Sequence, residues 1–139
     1  MEEVTLMDTG PLVALLDANE QHHEWALAEW RNLSAPALTC EAVITESAFL
    51  LNRNGCSPAR LLTMIERGAL RLDFSLAREA GLIRDLMDHY ADVPMSLADA
   101  CLVRLSEKHD RCRVFTLDSD FRIYRRHRRR AIPLFVPPH

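Results

Sequence analysis

Short apolar runs alternate with longer amphipathic segments along the chain, and this alternation predicts strands separated by helices. Residues 4–7 and 114–117 are compact β-prone runs, whereas residues 75–90 repeat apolar positions every three or four residues, as amphipathic helices do. Strand–helix–strand order favours a parallel sheet with helices on both faces. The predicted strands are residues 4–7, 36–40, 70–72, 114–117 and 132–136, the last at a sheet edge because it contains a proline.

Length and composition indicate one folded domain over residues 1–139. Hydrophobic residues make up 48% and charged residues 27% of the chain, which is typical of a globular protein and excludes a disordered one. No apolar run approaches the roughly 18 residues that a membrane helix needs. The N-terminus is acidic where a secretory signal is basic, so we expect a cytoplasmic protein without a membrane partner.

The net charge of −3 is unevenly distributed. Residues 1–99 contain seven basic and 16 acidic residues, a net −9, whereas residues 100–139 contain ten basic and four acidic residues, a net +6. An acidic body beside a basic end is compatible with a cation site next to a surface that binds a polyanion.

Acidic residues follow two of the predicted strands and begin one of the helices. Asp8 follows the first strand and Asp118 the fourth, so both carboxylates are expected at the carboxyl edge of the sheet. Asp99 lies in the first turn of a helix predicted over residues 96–108. Glu46 lies on an otherwise apolar helix, and Asp120 comes two residues after Asp118.

Each of these acids also has a purely structural explanation. Asp8 and Asp118 suit the cap of a following helix, Asp99 fits a capping box, and Glu46 has the option of facing solvent. Acids that meet on one side of a sheet, however, repel one another unless a cation neutralises them. An oxygen-rich set suits Mg²⁺ or Mn²⁺, which polarises a phosphodiester and activates water. The combination therefore favours metal-dependent phosphodiester hydrolysis.

The ordered set of acidic motifs resembles the PIN domain family, and within it the VapC-like ribonuclease toxins of bacterial and archaeal toxin–antitoxin modules. The matching stretches are residues 6–12, 45–46, 95–100 and 116–121, which together span most of the chain. The resemblance implies a three-layer α/β/α sandwich around a mostly parallel sheet of about five strands. It also implies a Mg²⁺ site, open to Mn²⁺, with four catalytic and metal-binding acids and Asp120 as an auxiliary ligand. The four acids are Asp8, Glu46, Asp99 and Asp118.

The resemblance also extends to two threonines, and the sequence differs from the family pattern at one position near the acids. Thr116 is similar to the family's hydroxyl residue that orients a water or a carboxylate near the metal. Thr9 is expected to assist through its hydroxyl or its backbone N–H. The acid that often precedes Leu-Ala-Asp in the family is Ser96 here, a difference that concerns the surroundings of the ligands and not the ligands themselves.

Six arginines crowd residues 122–130, where the sequence predicts a short basic helix over residues 119–127. Arg122, Arg125 and Arg126 are candidate RNA-phosphate contacts, because guanidinium groups bind phosphate bidentately. A solvated helix end explains the same run, since cations are favourable near a helix C-terminus. A docking surface for an acidic antitoxin segment is a third explanation.

The leading hypothesis is an Mg²⁺- or Mn²⁺-dependent endoribonuclease that acts as the toxin of a VapBC-type module. By resemblance, its partners are an RNA substrate, a VapB-like antitoxin and a second copy of itself in a homodimer. The alternative is a stand-alone PIN-like RNA-processing or RNA-binding protein with weak or no nuclease activity. An aspartyl phosphotransferase is disfavoured, because Gly10 stands where a second aspartate is needed.

Overall fold

Strands and helices alternate along the chain in the computed structural model, which describes residues 3–138. The strands are β1 (Val4–Met7), β2 (Ala37–Thr39), β3 (Leu70–Leu72), β4 (Cys112–Phe115), β5 (Arg125–Arg126), β6 (Arg130–Ala131) and β7 (Leu134–Phe135). The helices are α1 (Thr9–Leu16), α2 (His23–Arg31), α3 (Glu41–Arg53), α4 (Ala59–Glu66), α5 (Leu76–His89) and α6 (Leu97–Glu107). Within the described residues, the helices are all too short or too polar to cross a membrane.

Five strands form one parallel sheet in the order β3-β2-β1-β4-β7. The chain builds β1, β2 and β3 in one direction and then returns to place β4 on the other side of β1. In the register of the central pair, Met7 lies opposite Phe115. The reversal between β1 and β4 is a topological switch point, and α/β sheets bind ligands beyond the carboxyl ends of their strands at such points.

The central strands are enclosed by apolar side chains on both faces. Leu6, Met7, Val114 and Phe115 have no exposed surface, so successive residues of β1 and β4 are buried on opposite faces, as in a parallel sheet that is covered on both sides. Trp25 from α2 packs edge-on against Phe115, with ring centroids 4.8 Å apart. The predicted α/β/α sandwich with a mostly parallel five-stranded sheet is confirmed, and β7 forms an edge of the sheet as expected.

The basic helix predicted over residues 119–127 is wrong. The chain forms a single 3₁₀ turn over Ser119–Arg122 and then an antiparallel hairpin of β5 and β6. His127 and Arg128 make the hairpin turn with φ values of 51° and 63°. A helix fails here because Tyr124 and Arg126, two residues apart, both turn inward and become buried, a spacing that belongs to a strand.

The fourth strand is shifted toward the N-terminus relative to its predicted bounds of 114–117. It spans Cys112–Phe115, so Asp118 lies three residues beyond the strand and does not follow it directly. The Thr116 hydroxyl accepts a 2.9 Å hydrogen bond from the Asp118 backbone N–H. This short local bond turns the chain out of the sheet before Asp118.

Candidate active site

Five carboxylates line one cavity of about 420 Å³ at the carboxyl edge of the sheet. We call it the acidic cavity. Its acids come from four separate places: the end of β1, the middle of α3, the first turn of α6, and the 3₁₀ turn after β4 with the residue that caps it. The structure thus brings together every acid that the sequence singled out, namely Asp8, Glu46, Asp99, Asp118 and Asp120.

Asp8 lies at the centre of the switch point and is only 5% exposed. Its Oδ1 accepts a 2.8 Å hydrogen bond from the Thr9 N–H, so Asp8 does cap α1. Its Oδ2 accepts a 2.6 Å hydrogen bond from the Thr116 hydroxyl. Burial raises the pKa of Asp8 to about 6; the hydrogen bonds from Thr116 and Thr9 oppose the rise, and the charges of Asp99 and Asp118 add to it. The structural explanation, a helix cap, therefore holds for Asp8, and the same carboxylate also lines the acidic cavity.

Two threonines join the acids into a network. Thr116 is fully buried, and its oxygen accepts from the Asp118 N–H while its hydrogen is donated to Asp8. The Thr9 hydroxyl donates a 3.0 Å hydrogen bond to Glu46 Oε2. Asp118 Oδ1 in turn accepts from the backbone N–H of the residue two positions later, at 2.9 Å. The network spans the ends of β1 and β4 and reaches α3, and it holds three of the acids in place.

Asp99 is held by a residue that the sequence analysis missed. The Tyr124 hydroxyl donates a 2.9 Å hydrogen bond to Asp99 Oδ2, and Tyr124 has no exposed surface. Burial raises the pKa of Asp99, a rise that the hydrogen bond from Tyr124 opposes and the charge of Asp118 increases. The one available signal was a tyrosine three residues after Phe121 in an arginine-rich segment, because buried tyrosines need a hydroxyl partner.

Gly10 has a packing role that sequence reasoning did not predict. A Cβ at this position would lie 3.1 Å from both Cβ and Cδ1 of Leu117, closer than ordinary van der Waals contact. Leu117 directly precedes Asp118 and also lines the acidic cavity. A glycine in the first turn of a helix, where other residues are better helix formers, was the available signal.

The three candidate phosphate-binding arginines have different surroundings. Arg126 is 4% exposed, and its guanidinium donates to the carbonyl oxygens of Ser106, His109 and Asp110, which fastens the hairpin to the end of α6. These bonds give Arg126 a structural role and leave its guanidinium little exposed surface for the expected phosphate contact. Arg125 is half-buried and bonds carbonyl oxygens of its own segment. Arg122 is exposed.

The donor set of the acidic cavity fits a hard divalent cation. Its candidate metal ligands are carboxylate oxygens. Burial raises the pKa values of two of them, Asp8 and Asp99, and neighbouring negative charges add to the rise. A bound cation would relieve that repulsion. As these side chains stand, no three or more His, Cys, Asp or Glu residues within residues 3–138 are arranged to hold a single ion, so the acids share a cavity without converging on one point.

Comparison with known proteins agrees with the fold. The chain is similar to the crystal structure of Mycobacterium tuberculosis VapC20, described as a sarcin-ricin loop cleaving toxin, with a TM-score of 0.72 and 21% sequence identity. The alignment covers 84% of this chain and 91% of that one. Curated protein sequences include no match to this chain. The family model for the PIN domain, however, matches residues 5–126, a stretch that contains all five acids of the cavity, and the chain accordingly belongs to the PIN domain family.

Proposed function

We propose that this protein is an endoribonuclease that hydrolyses RNA phosphodiester bonds with the help of Mg²⁺ or Mn²⁺, in one nuclease domain over residues 1–139. The observation that carries the proposal is the acidic cavity, in which carboxylates distant in sequence line one space at the switch point of the sheet. Membership of the PIN domain family and the similarity to a toxin described as cleaving the sarcin-ricin loop support it.

Four carboxylates would hold the divalent cation and are the catalytic acids of the proposal, with Asp120 as an auxiliary ligand. Carboxylate oxygens without sulfur or imidazole select Mg²⁺ or Mn²⁺ over softer metals. When bound, such an ion supplies a Lewis acid for the phosphodiester and makes water a better nucleophile. The four acids are Asp8, Glu46, Asp99 and Asp118.

Other side chains of the protein orient these acids and keep them charged. Hydrogen bonds from Thr116 and Thr9 oppose the burial that raises the pKa of Asp8, and a hydrogen bond from Tyr124 does the same for Asp99. With a pKa of about 6, Asp8 is mostly ionised at neutral pH. Thr9 also holds Glu46, which is exposed and would otherwise be free to rotate.

RNA cleavage by the purified protein tests the proposal. Total RNA is incubated with the wild-type protein in Mg²⁺, in Mn²⁺ and in EDTA, and with Asp8→Asn in either metal. A matched control is Asp88→Asn, because Asp88 is an exposed acid on α5 outside the acidic cavity. We expect cleavage by wild type and Asp88→Asn, and none by Asp8→Asn or in EDTA. Cleavage that persists in EDTA would contradict the metal requirement.

We further propose that the protein is the toxin of a VapBC-type module: a cytoplasmic homodimer whose partner is a VapB-like antitoxin. The similarity to VapC20 supports this assignment. Expression of wild type, but not of Asp8→Asn, should arrest bacterial growth, and co-expression of a short open reading frame next to the gene should relieve the arrest. RNA binding without cleavage or growth arrest would favour the alternative of a stand-alone RNA-binding protein.

A further inference from the structure

A second cavity of about 250 Å³ adjoins the acidic cavity, and we call it the side pocket. It lies on the far side of the 3₁₀ turn, between the start of α2 and the chain that follows β7. Leu117 and Asp118 line both cavities, so the two cavities are direct neighbours. The other important lining residues of the side pocket are His22, Arg122, Val136 and Pro137.

The side pocket combines apolar walls with a cation. Leu117, Val136 and Pro137 are half-buried and offer saturated apolar surface, and the imidazole of His22 adds a flat ring. The exposed Arg122 completes the lining. Flat apolar and ring surfaces receive unstacked bases of single-stranded RNA, whereas guanidinium groups bind phosphate. A nucleotide presents both a base and a phosphate to a protein.

The negative charge of the acidic cavity favours RNA contacts at a neighbouring site. RNA is a polyanion, and five carboxylates repel it, so part of the binding energy has to come from contacts beside the site. Another cavity at this edge, of about 390 Å³, is lined by Cys40, Glu41 and Phe74 among others. Like the side pocket, which Asp118 lines, this cavity has a carboxylate in its lining, but within the described part of the chain it has no arginine, lysine or histidine. The side pocket is therefore the better match to RNA.

We propose that the side pocket binds the nucleotide next to the scissile phosphate, with its base against the apolar wall and His22 and its phosphate near Arg122. The inference rests on the proposed nuclease function, because it assigns where the RNA strand continues beyond the acidic cavity. Any preference for the base beside the cleaved bond would then be set in this pocket.

Binding of a fluorescein-labelled ten-nucleotide RNA of random sequence, followed by anisotropy in EDTA, tests the side pocket without any cleavage. The variants are Arg122→Gln and His22→Ala. Arg129→Gln is the matched control, because Arg129 is an exposed arginine on the hairpin that lines neither cavity. Thermal melting checks that each variant folds.

Log affinity falls linearly with log salt concentration, and we expect Arg122→Gln to make this fall less steep by about 0.7. That change corresponds to the loss of one single-strand phosphate contact. His22→Ala should weaken binding about fivefold or more, the lower bound for loss of base stacking. Arg129→Gln should have a clearly smaller effect than Arg122→Gln. The proposal that the side pocket binds RNA would be overturned by either of two results. One is an equal loss of RNA affinity in the two arginine variants, and the other is wild-type affinity in a folded His22→Ala variant.

Sequencing of the cleaved ends in Mn²⁺ then separates this inference from the proposed function. If the wild-type protein cleaves RNA, His22→Ala should change the frequencies of the four bases next to the cleaved bond. Unchanged frequencies would contradict the proposed role of the side pocket. If the wild-type protein does not cleave, the nuclease proposal fails, whereas the binding results in EDTA still decide whether the pocket holds RNA.

Discussion

Thr116 donates a 2.6 Å hydrogen bond to Asp8 across the ends of the two central strands. Both residues are buried, and the same hydroxyl oxygen accepts the backbone N–H of Asp118. One uncharged side chain thus offsets part of the cost of burying the Asp8 carboxylate and fixes where Asp118 leaves the sheet. Burial still dominates, since the pKa of Asp8 remains raised to about 6.

Replacing the Thr116 hydroxyl should weaken cation binding. Thr116→Val keeps the shape of the side chain but removes the donor, so the pKa of Asp8 rises above about 6 and less of it is ionised at pH 7. A hydrogen bond to a charged group contributes about 1.5–3 kcal/mol, and we expect Mn²⁺ affinity at pH 7 to fall about tenfold. Electron paramagnetic resonance of free Mn²⁺ measures this. Thr116→Ser, which keeps the hydroxyl, should bind nearly as wild type; equal affinity of the valine variant would contradict the role.

Neutralising Asp8 should stabilise the metal-free protein at neutral pH. Because folding raises the pKa of Asp8 from 3.8 to about 6, its contribution to stability is full below about pH 4 and is lost as the pH rises through 6. Asp8→Asn has no such loss. At about 1.4 kcal/mol per pKa unit, the free energy of unfolding of the variant at pH 7.5 gains up to about 3 kcal/mol relative to wild type. Urea unfolding in EDTA at pH 5 and pH 7.5 measures it. A difference between the two proteins that does not change with pH would rule out this explanation.

Removing the Tyr124 hydroxyl should affect Asp99 without unfolding the protein. In Tyr124→Phe the ring still packs against Phe121 and Tyr90, whose centroids are each 5.2 Å away. Asp99 loses a donor that opposes the rise in its pKa, so Mn²⁺ affinity should fall about tenfold, by the same hydrogen-bond energy. Tyr90→Phe is the matched control, because the Tyr90 hydroxyl bonds a backbone N–H and no carboxylate. If both variants bind Mn²⁺ equally, Tyr124 has only a structural role.

The parts of the fold that follow local rules could be predicted, and the parts that depend on distant contacts could not. The strand β1 is a compact apolar run, and Asp8 and Asp99 occupy helix-start positions that sequence rules recognise. The hairpin after Asp118 has no such local signal. It exists because Arg126 reaches carbonyl oxygens at the end of α6 and Tyr124 reaches Asp99, and neither contact is visible in the spacing of residues.

Adding a methyl group at Gly10 should disturb the acidic cavity. Gly10→Ala gains helix propensity but places Cβ 3.1 Å from Leu117, whose own Cβ is close to the backbone and cannot swing away. Gly81→Ala in α5 meets nothing within 4 Å, so it should stabilise the protein by about 0.5–1 kcal/mol. We expect Gly10→Ala to show no such gain and to lose RNA cleavage several-fold as Asp118 shifts with Leu117. Thermal melting and the cleavage assay measure the two effects; equal stabilisation by both alanines would contradict a tight contact at Gly10.

The buried guanidinium of Arg126 should matter for stability and not for RNA. Arg126→Gln leaves the carbonyl oxygens of Ser106, His109 and Asp110 short of a donor, and a buried group without a partner costs about 1–3 kcal/mol. The exposed Arg122→Gln should stay within about 0.5 kcal/mol of wild type. Urea unfolding distinguishes the two, and RNA binding below the unfolding transition should have a reduced salt dependence only in Arg122→Gln. A reduced salt slope for Arg126→Gln at unchanged stability would instead return Arg126 to the phosphate-binding surface.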